Sequence, residues 1–216
     1  MHSDFSIHHL RCDYDQHPLT LEELDSDPGK QFRAWFEEAR ASGIPEPNAM
    51  TLGTADASGR VSCRTVLLKA YDERGFVFFT NYGSRKARQI AENPQASLLF
   101  PWVALTRQIE IAGRVEKISP AESLAYFLSR PYLSRLGAWV SDQSSVISSR
   151  QILLAKFEDL KRQFADGKVP KPEGWGGFRL IPDTLEFWQG GQARLHDRFL
   201  YQRDTGGNWK INQLAP

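Results

Sequence analysis

"AMTLGTADASGRVSCRTVLLKAYDERGFVFFTN", residues 49–81, decides how the rest of the chain is read. It divides into three runs rich in β-branched and aromatic residues, separated by DASGR and DERG, glycine-containing turns of hairpin length. Strands joined so tightly are antiparallel neighbours, since a parallel crossover needs a dozen or more residues. Working outward, SLLFPW (97–102) is a further strand that Pro101 should end or mark as an edge. RQIEIAGRVEKI (107–118) alternates, with Ile109, Ile111, Gly113 and Val115 on one face and Gln108, Glu110, Ala112 and Arg114 on the other. Two more strands, in 176–191 and 194–216, close the chain.

Helices lie between and around these strands. SDPGKQFRAWFEEARAS (26–42) has Asp27 as a cap, Pro28 in the first turn and Phe32, Trp35, Phe36 and Ala39 at helical spacing. Thr20 and Glu23 have capping-box spacing. Ser84 opens a second helix, and Ser119, Pro120 and Glu122 open a third. On that third helix Leu124, Phe127 and Leu128 are expected to face the core. Leu153, Phe157, Leu160 and Phe164 form the stripe of a fourth, stopped by Gly167. Strands and helices do not alternate as a doubly wound parallel sheet requires. The expected fold is α+β, mainly β, an antiparallel barrel or sheet with packed helices. Residues 1–18 are polar and aperiodic and read as a mobile N-terminal arm, followed by one domain over 19–216.

The chain has 216 residues and a net charge of +1, so no bulk electrostatic case for nucleic acid exists. Cys12 and Cys63 are expected to be reduced thiols. No signal peptide or membrane span is apparent, which points to a soluble cytoplasmic protein. There is no G-x-G-x-x-G, Walker A or G-x-S-x-G motif and no metal-ligand spacing, so no metal site is expected.

What remains is a set of cationic clusters. Arg64 and Lys69 bracket a strand at opposite-face spacing; they serve separate ligands, meet across a bulge, or are solvated edge charges. Arg85 and Lys86 open a helix where acids are preferred, which suits either a bound anion or a surface helix with a poor start. Tyr126 and Arg130 share a helix face with Ser134 just beyond, either a phosphate grip or a solvated face. Gln143, Ser144 and Ser145 are neutral donors that also suit caps and turns. In WQGGQARLHDRFLYQ (188–202), Arg194, His196 and Arg198 alternate, which on a strand puts three cationic or chargeable groups on one face. They demand an anionic counterpart, or they are an exposed strand with salt-bridged arginines. His196 is the one histidine of five that lies beyond residue 17.

RTVLLK (64–69), FFTNYGSRKA (78–87), SLLFPW, YFLSRP (126–131), GAWVSDQSS (137–145), WGGFRL (175–180), EFWQGG (186–191), RLHDRF (194–199) and the LAP ending occur in one order. Together they resemble the pyridoxamine (pyridoxine) 5′-phosphate oxidase family, and LRCDY (10–14) resembles that family's N-terminal arm. The resemblance implies a split β-barrel with FMN at a homodimer interface. It implies that Arg64, Thr65, Val66, Leu67, Leu68, Lys69, Phe79, Thr80, Arg85, Lys86, Gln108, Gln143, Ser144, Trp188 and Arg198 contact FMN. Lys69, Tyr126, Arg130 and Ser134 would hold the substrate phosphate. Arg194 and His196 would face the pyridine ring as the catalytic pair, with Arg11 and Tyr14 closing over it. The implied reaction oxidises pyridoxamine or pyridoxine 5′-phosphate to pyridoxal 5′-phosphate with dioxygen, releasing hydrogen peroxide, and ammonia from the amine. The alternatives are a split-barrel flavin reductase and a non-enzymatic binder of FMN or pyridoxal phosphate.

Overall fold

The computed structural model describes Leu10, Tyr14 and residues 17–216. The chain forms two compact units, one of Asn48–Phe100 with Ile111–Asp183, the other of Met1–Pro47 with Pro101–Glu110 and Thr184–Pro216. Among the described residues no helix is long and apolar enough to cross a membrane.

The first unit is built on β1 (Ala49–Ala55), β2 (Val61–Leu67), β3 (Ala70–Asp72), β4 (Gly75–Asn81), β5 (Gln95–Trp102), β6 (Arg107–Lys117) and β7 (Trp175–Gln189). β5, β6 and β7 also contribute residues to the second unit. The strand order is β2-β1-β5-β6-β7-β4-β3, and β1–β2, β1–β5, β3–β4 and β4–β7 are antiparallel. This is the expected α+β class, an antiparallel split-barrel sheet with packed helices. Residues 49–81 form four strands where three were expected. The Leu68 amide pairs with Asn48 O at 2.8 Å, whereas the next amide, Lys69, pairs with Val77 O at 2.9 Å. Adjacent residues therefore bond to different strands, and the run breaks there. Lys69 thus stands at a crossover that no turn residue announces.

Leu52, Phe78, Leu98, Phe100, Ile111 and Leu180 are fully buried, each worth about 1.5–3 kcal/mol by removal from water. α2 (Arg85–Glu92) is capped by Ser84, whose hydroxyl accepts from the Ala87 amide. α3 (Pro120–Ser129) has the expected capping box of Ser119 and Glu122. Pro131 then restarts the chain as α4 (Tyr132–Val140), which places Ser134 inside a helix rather than after one. α5 (Arg150–Gln163) follows. Phe127, Leu136, Leu160, Val169 and Trp175 form one apolar cluster among these helices. Leu124 and Leu128 are exposed, against expectation. Only the arc of α3 through Ser123 and Phe127 is buried, and helical spacing cannot tell which flank of an apolar arc is covered.

In the second unit Asp27 caps α1 (Pro28–Ala41) by accepting from the Gly29 amide at 2.8 Å. Phe32, Trp35 and Ala39 are buried. Trp35 meets Phe187 edge-on at 5.3 Å, and Phe187 meets Tyr201 at the same distance. Thr20–Glu23 makes only a single 3-10 turn. β8 (Asp197–Arg203) pairs with the end of β7 and with β9 (Trp209–Gln213), so the last stretch holds two strands rather than one.

Candidate active site

In the first unit a cavity of about 460 Å³ gathers eleven residues named from the sequence. Thr65, Val66 and Leu67 come from β2, Lys69 from the crossover, Phe79 and Thr80 from β4, and Lys86 from α2. Tyr126 comes from α3, Arg130 from its C-cap, Ser134 from α4 and Gln143 from the following loop. Leu68 is buried beside this run. Trp175, at the start of β7, also lines the cavity. It stood in a family-like stretch of sequence without a role, and an aromatic opening a strand after Gly174 was the available signal.

One set of groups holds a cluster of cations. The Lys86 ammonium donates to Thr80 Oγ1 at 3.2 Å and to Gln143 Oε1 at 2.9 Å. The Arg85 backbone amide, at the start of α2, donates to the Ser144 hydroxyl at 3.3 Å. Arg64 donates to Leu52 O, Thr54 Oγ1 and Ser62 Oγ at 3.0, 2.6 and 2.5 Å. Burial, then the neighbouring Arg64 and Arg85 charges, push the Lys86 pKa down to about 8. Burial, then Arg85, lowers that of Arg64. A lysine whose charge is opposed by two guanidiniums suits a dianion such as a phosphate ester.

This arrangement has a pH signature. The Lys86 pKa falls from 10.5 in the unfolded chain to about 8 in the fold. Between those values the unfolded chain holds more protons, so the ligand-free protein should gain stability as pH rises from about 8. Affinity for inorganic phosphate should instead fall over that range as Lys86 loses its charge. Lys86→Met is expected to abolish both trends and to weaken phosphate binding by roughly tenfold, the cost of one charge-assisted contact. Thermal denaturation at pH 7 and pH 10, with and without phosphate, checks both signs.

Elsewhere in the cavity an unsatisfied donor stands out. Arg130 Nη1 is buried with no hydrogen-bond partner among the described residues. Its guanidinium lies 4.9 Å from the Trp175 ring centroid, and burial lowers its pKa. Phe79 stacks on Tyr126 at 3.9 Å and on Trp175 at 5.2 Å, giving an aromatic wall. Burial raises the Tyr126 pKa, so its phenol stays a donor at neutral pH. A buried, orphaned guanidinium N–H beside a phenol and a serine suits a second phosphate.

In the second unit Arg194, His196 and Arg198 do not share one strand face, contrary to the alternation argument. Gln192–Arg194 is a 3-10 turn, Ala193 and Arg194 have φ of 54° and 68°, and β8 begins only at Asp197. Two consecutive left-handed residues reset the phase that alternation assumes, at roughly 1–3 kcal/mol each. Arg198 forms a bidentate pair with Glu186, Nε to Oε1 at 2.8 Å and Nη2 to Oε2 at 3.1 Å, and Nη1 donates to Ala215 O. Glu186 raises the Arg198 pKa. The sequence reading missed Glu186; it is diagonal to Arg198 in the β7–β8 register, where Trp188 is directly opposite.

His196 and Trp188 rings lie 4.7 Å apart, with Tyr14 at 5.6 Å from His196 and 6.2 Å from Trp188. The Arg194 guanidinium is 5.8 Å from the Tyr14 ring centroid. The Gly191 amide donates to His196 Nδ1 at 3.1 Å. Nδ1 is therefore an acceptor, and the proton of the neutral ring resides on Nε2. Gln108 lies on β6, half-buried between Arg107 and the buried Ile109. Arg11 lies outside the described residues.

The family model described as pyridoxamine 5′-phosphate oxidase matches residues 36–164. The model described as the pyridoxine 5′-phosphate oxidase C-terminal dimerisation region matches residues 175–216. A pyridoxine/pyridoxamine 5′-phosphate oxidase of Trichormus variabilis is 52% identical over 99% of this chain and 100% of its own length. One from Crocosphaera subtropica is 56% identical over 96% and 98%. Among solved structures, PhzG from Burkholderia lata 383, in complex with tetrahydrophenazine-1-carboxylic acid, superposes with a TM-score of 0.87 at 32% identity, covering 95% of this chain and 100% of that one. A pyridoxamine 5′-phosphate oxidase-related, FMN-binding protein from Nostoc punctiforme gives a TM-score of 0.71 at 18% identity over 88% and 98%, a likeness of fold.

Proposed function

The chain belongs to the pyridoxamine 5′-phosphate oxidase family, and from that membership we propose that it is an FMN-dependent cytoplasmic homodimer. It oxidises pyridoxamine and pyridoxine 5′-phosphates to pyridoxal 5′-phosphate, with dioxygen as acceptor and hydrogen peroxide as product. The carrying observation is that one cavity is lined both by Lys86, whose charge two arginines oppose, and by Arg130, whose buried Nη1 has no hydrogen-bond partner among the described residues. Two phosphorylated molecules require two such grips.

The residues fit FMN by their donor chemistry. Arg64, Arg85, Lys86 and Ser144 are the groups for its phosphate, Thr65–Lys69, Phe79, Thr80 and Gln143 for its body. Gln108, Trp188 and Arg198 complete the set. The chemistry FMN supplies when bound is acceptance of two electrons from the substrate and their delivery to dioxygen.

The chain's own groups bind and orient. Lys69, Tyr126, Arg130 and Ser134 hold the substrate phosphate, and binding energy there fixes the distant reacting carbon. Arg194 orients the pyridine ring and stabilises its anionic oxygen, with the Tyr14 ring beside it. His196 presents Nε2 to the substrate while Gly191 holds Nδ1. That makes His196 a positioning group first, able to pass a proton only through Nε2.

The deciding experiment adds pyridoxamine 5′-phosphate aerobically to FMN-loaded protein and follows aldehyde and peroxide together. Equimolar appearance of both is expected, and no turnover by the loaded protein overturns the reading. Arg194→Leu should lower turnover far more than FMN retention. Wild-type kinetic constants in that variant would remove Arg194 from the catalytic pair.

A further inference from the structure

We propose that Gln189 and Asp197 are positioning residues that seat Tyr14 against Trp188 and His196 by latching the backbone of His17 and Leu19. The proposal rests on the oxidase reading only where kinetics are used to test it.

Gln189 ends β7 and Asp197 begins β8, and they are directly opposite partners in the hairpin register. The loop between them carries Arg194 and His196. Each latch residue reaches out of the hairpin to the same short segment. Gln189 Nε2 donates to His17 O at 2.5 Å, and Asp197 Oδ2 accepts from the Leu19 amide at 2.9 Å. One bond takes a carbonyl and the other an amide, so the segment is fixed in direction as well as place.

The latch is itself braced. Gln189 is 3% exposed, and its Oε1 accepts from Arg107 Nε at 2.8 Å. Arg107 in turn pairs with Glu38 and lies 4.3 Å over the Trp35 ring. That contact assigns the amide, with oxygen toward Arg107 and nitrogen toward His17. A buried glutamine with both ends engaged has one orientation.

Three residues before His17, Tyr14 rests directly on Gly190. A Cβ there would come within 2.9 Å of Tyr14 Cγ and 3.3 Å of Thr106 Cβ. The Gly190 amide is held by Thr106 O at 2.8 Å, so the floor cannot recede easily. Tyr14 meets both Trp188 and His196 edge-on, and Arg194 approaches its ring. The ring geometry around His196 therefore depends on where the latch holds the chain.

The test uses three variants of the FMN-loaded full chain. Gln189→Glu keeps the acceptor for Arg107 but sets a carboxylate against His17 O. Asp197→Ala removes the acceptor for Leu19. Asp197→Asn retains an oxygen acceptor and is the rescue. The readout independent of turnover is nitration of Tyr14 by tetranitromethane, localised by peptide mass. It should speed several-fold in Gln189→Glu and Asp197→Ala and stay within about twofold of wild type in Asp197→Asn. In kinetics, KM for pyridoxamine 5′-phosphate should rise roughly tenfold in the first two variants with FMN content unchanged. In a Tyr14→Ala background the same changes should add less than about twofold, because coupled residues are not additive. Unchanged nitration in both latch variants overturns the proposal, as does a KM effect equally large without Tyr14. If the wild-type protein fails to oxidise the substrate, the oxidase reading fails, and the nitration rates still decide the latch.

Discussion

Replacing Arg130 with methionine is expected to lower kcat/KM for pyridoxamine 5′-phosphate by roughly 100- to 1000-fold, with FMN content unchanged. The range corresponds to losing two charge-assisted hydrogen bonds of about 1.5–3 kcal/mol each, incompletely additive. Methionine is unbranched, fills much of the space of the arginine stem, and gives up the guanidinium that lies 4.9 Å from the Trp175 ring centroid. The ligand-free protein should be no less stable than wild type. Arg130 Nη1 has no hydrogen-bond partner among the described residues, so an apolar replacement relieves an unsatisfied buried donor. Loss of activity with unchanged or raised melting temperature is the combined signature. Catalytic efficiency within a few-fold of wild type would remove Arg130 from the phosphate grip.

Gly113→Ala is expected to destabilise the fold by about 3 kcal/mol, the upper range for overpacking a well-packed interior. For a chain of this size that corresponds to a melting temperature lower by roughly 6–12 °C. A Cβ on Gly113 of β6 would lie 2.0 Å from Ile181 O and 3.0 Å from the Asp183 amide, both on β7. The obstruction is backbone, which cannot rotate aside as a side chain does. Gly137→Ala in α4, where a Cβ meets nothing within 4 Å, is the control. It should be neutral or stabilising by about 0.5–1 kcal/mol. Equal melting temperatures for the two variants would show that β6 and β7 separate at that point without cost.

Gly113 illustrates what periodicity can carry. In RQIEIAGRVEKI it takes its place among the buried positions with Ile109, Ile111 and Val115, and all four are buried in β6. Alternation assigns the face because successive strand residues point oppositely. It says nothing of the neighbour, so the close approach of β7 was invisible. Helix starts were equally local. Asp27, Ser84 and Ser119 cap where expected because a cap involves only residues two or three apart.

The site was legible in parts for a related reason. Lys69, Tyr126, Arg130 and Ser134 were marked out by residue type and family likeness, and they line one cavity. Arg194, His196 and Arg198 leave the two-residue period of a strand because Ala193 and Arg194 are left-handed and β8 begins only at Asp197. Glu186 was missed because its partner, Arg198, is twelve residues away and adjacent only through the hairpin register.

By itself the sequence determined the antiparallel strand-and-helix class, the capped starts of three α-helices and the cationic residues suited to two phosphates. These depend on short-range sterics, periodicity and charge, which a linear chain already contains. Only tertiary structure decided that Leu68 and Lys69 bond to different strands and that Lys86 is confined with Arg64 and Arg85. It alone decided that Arg130 keeps a buried N–H without a partner among the described residues and that Gln189 and Asp197 hold the chain near Tyr14. Each of those is a distance between groups far apart in sequence, set by strand register and packing, and no local pattern encodes it.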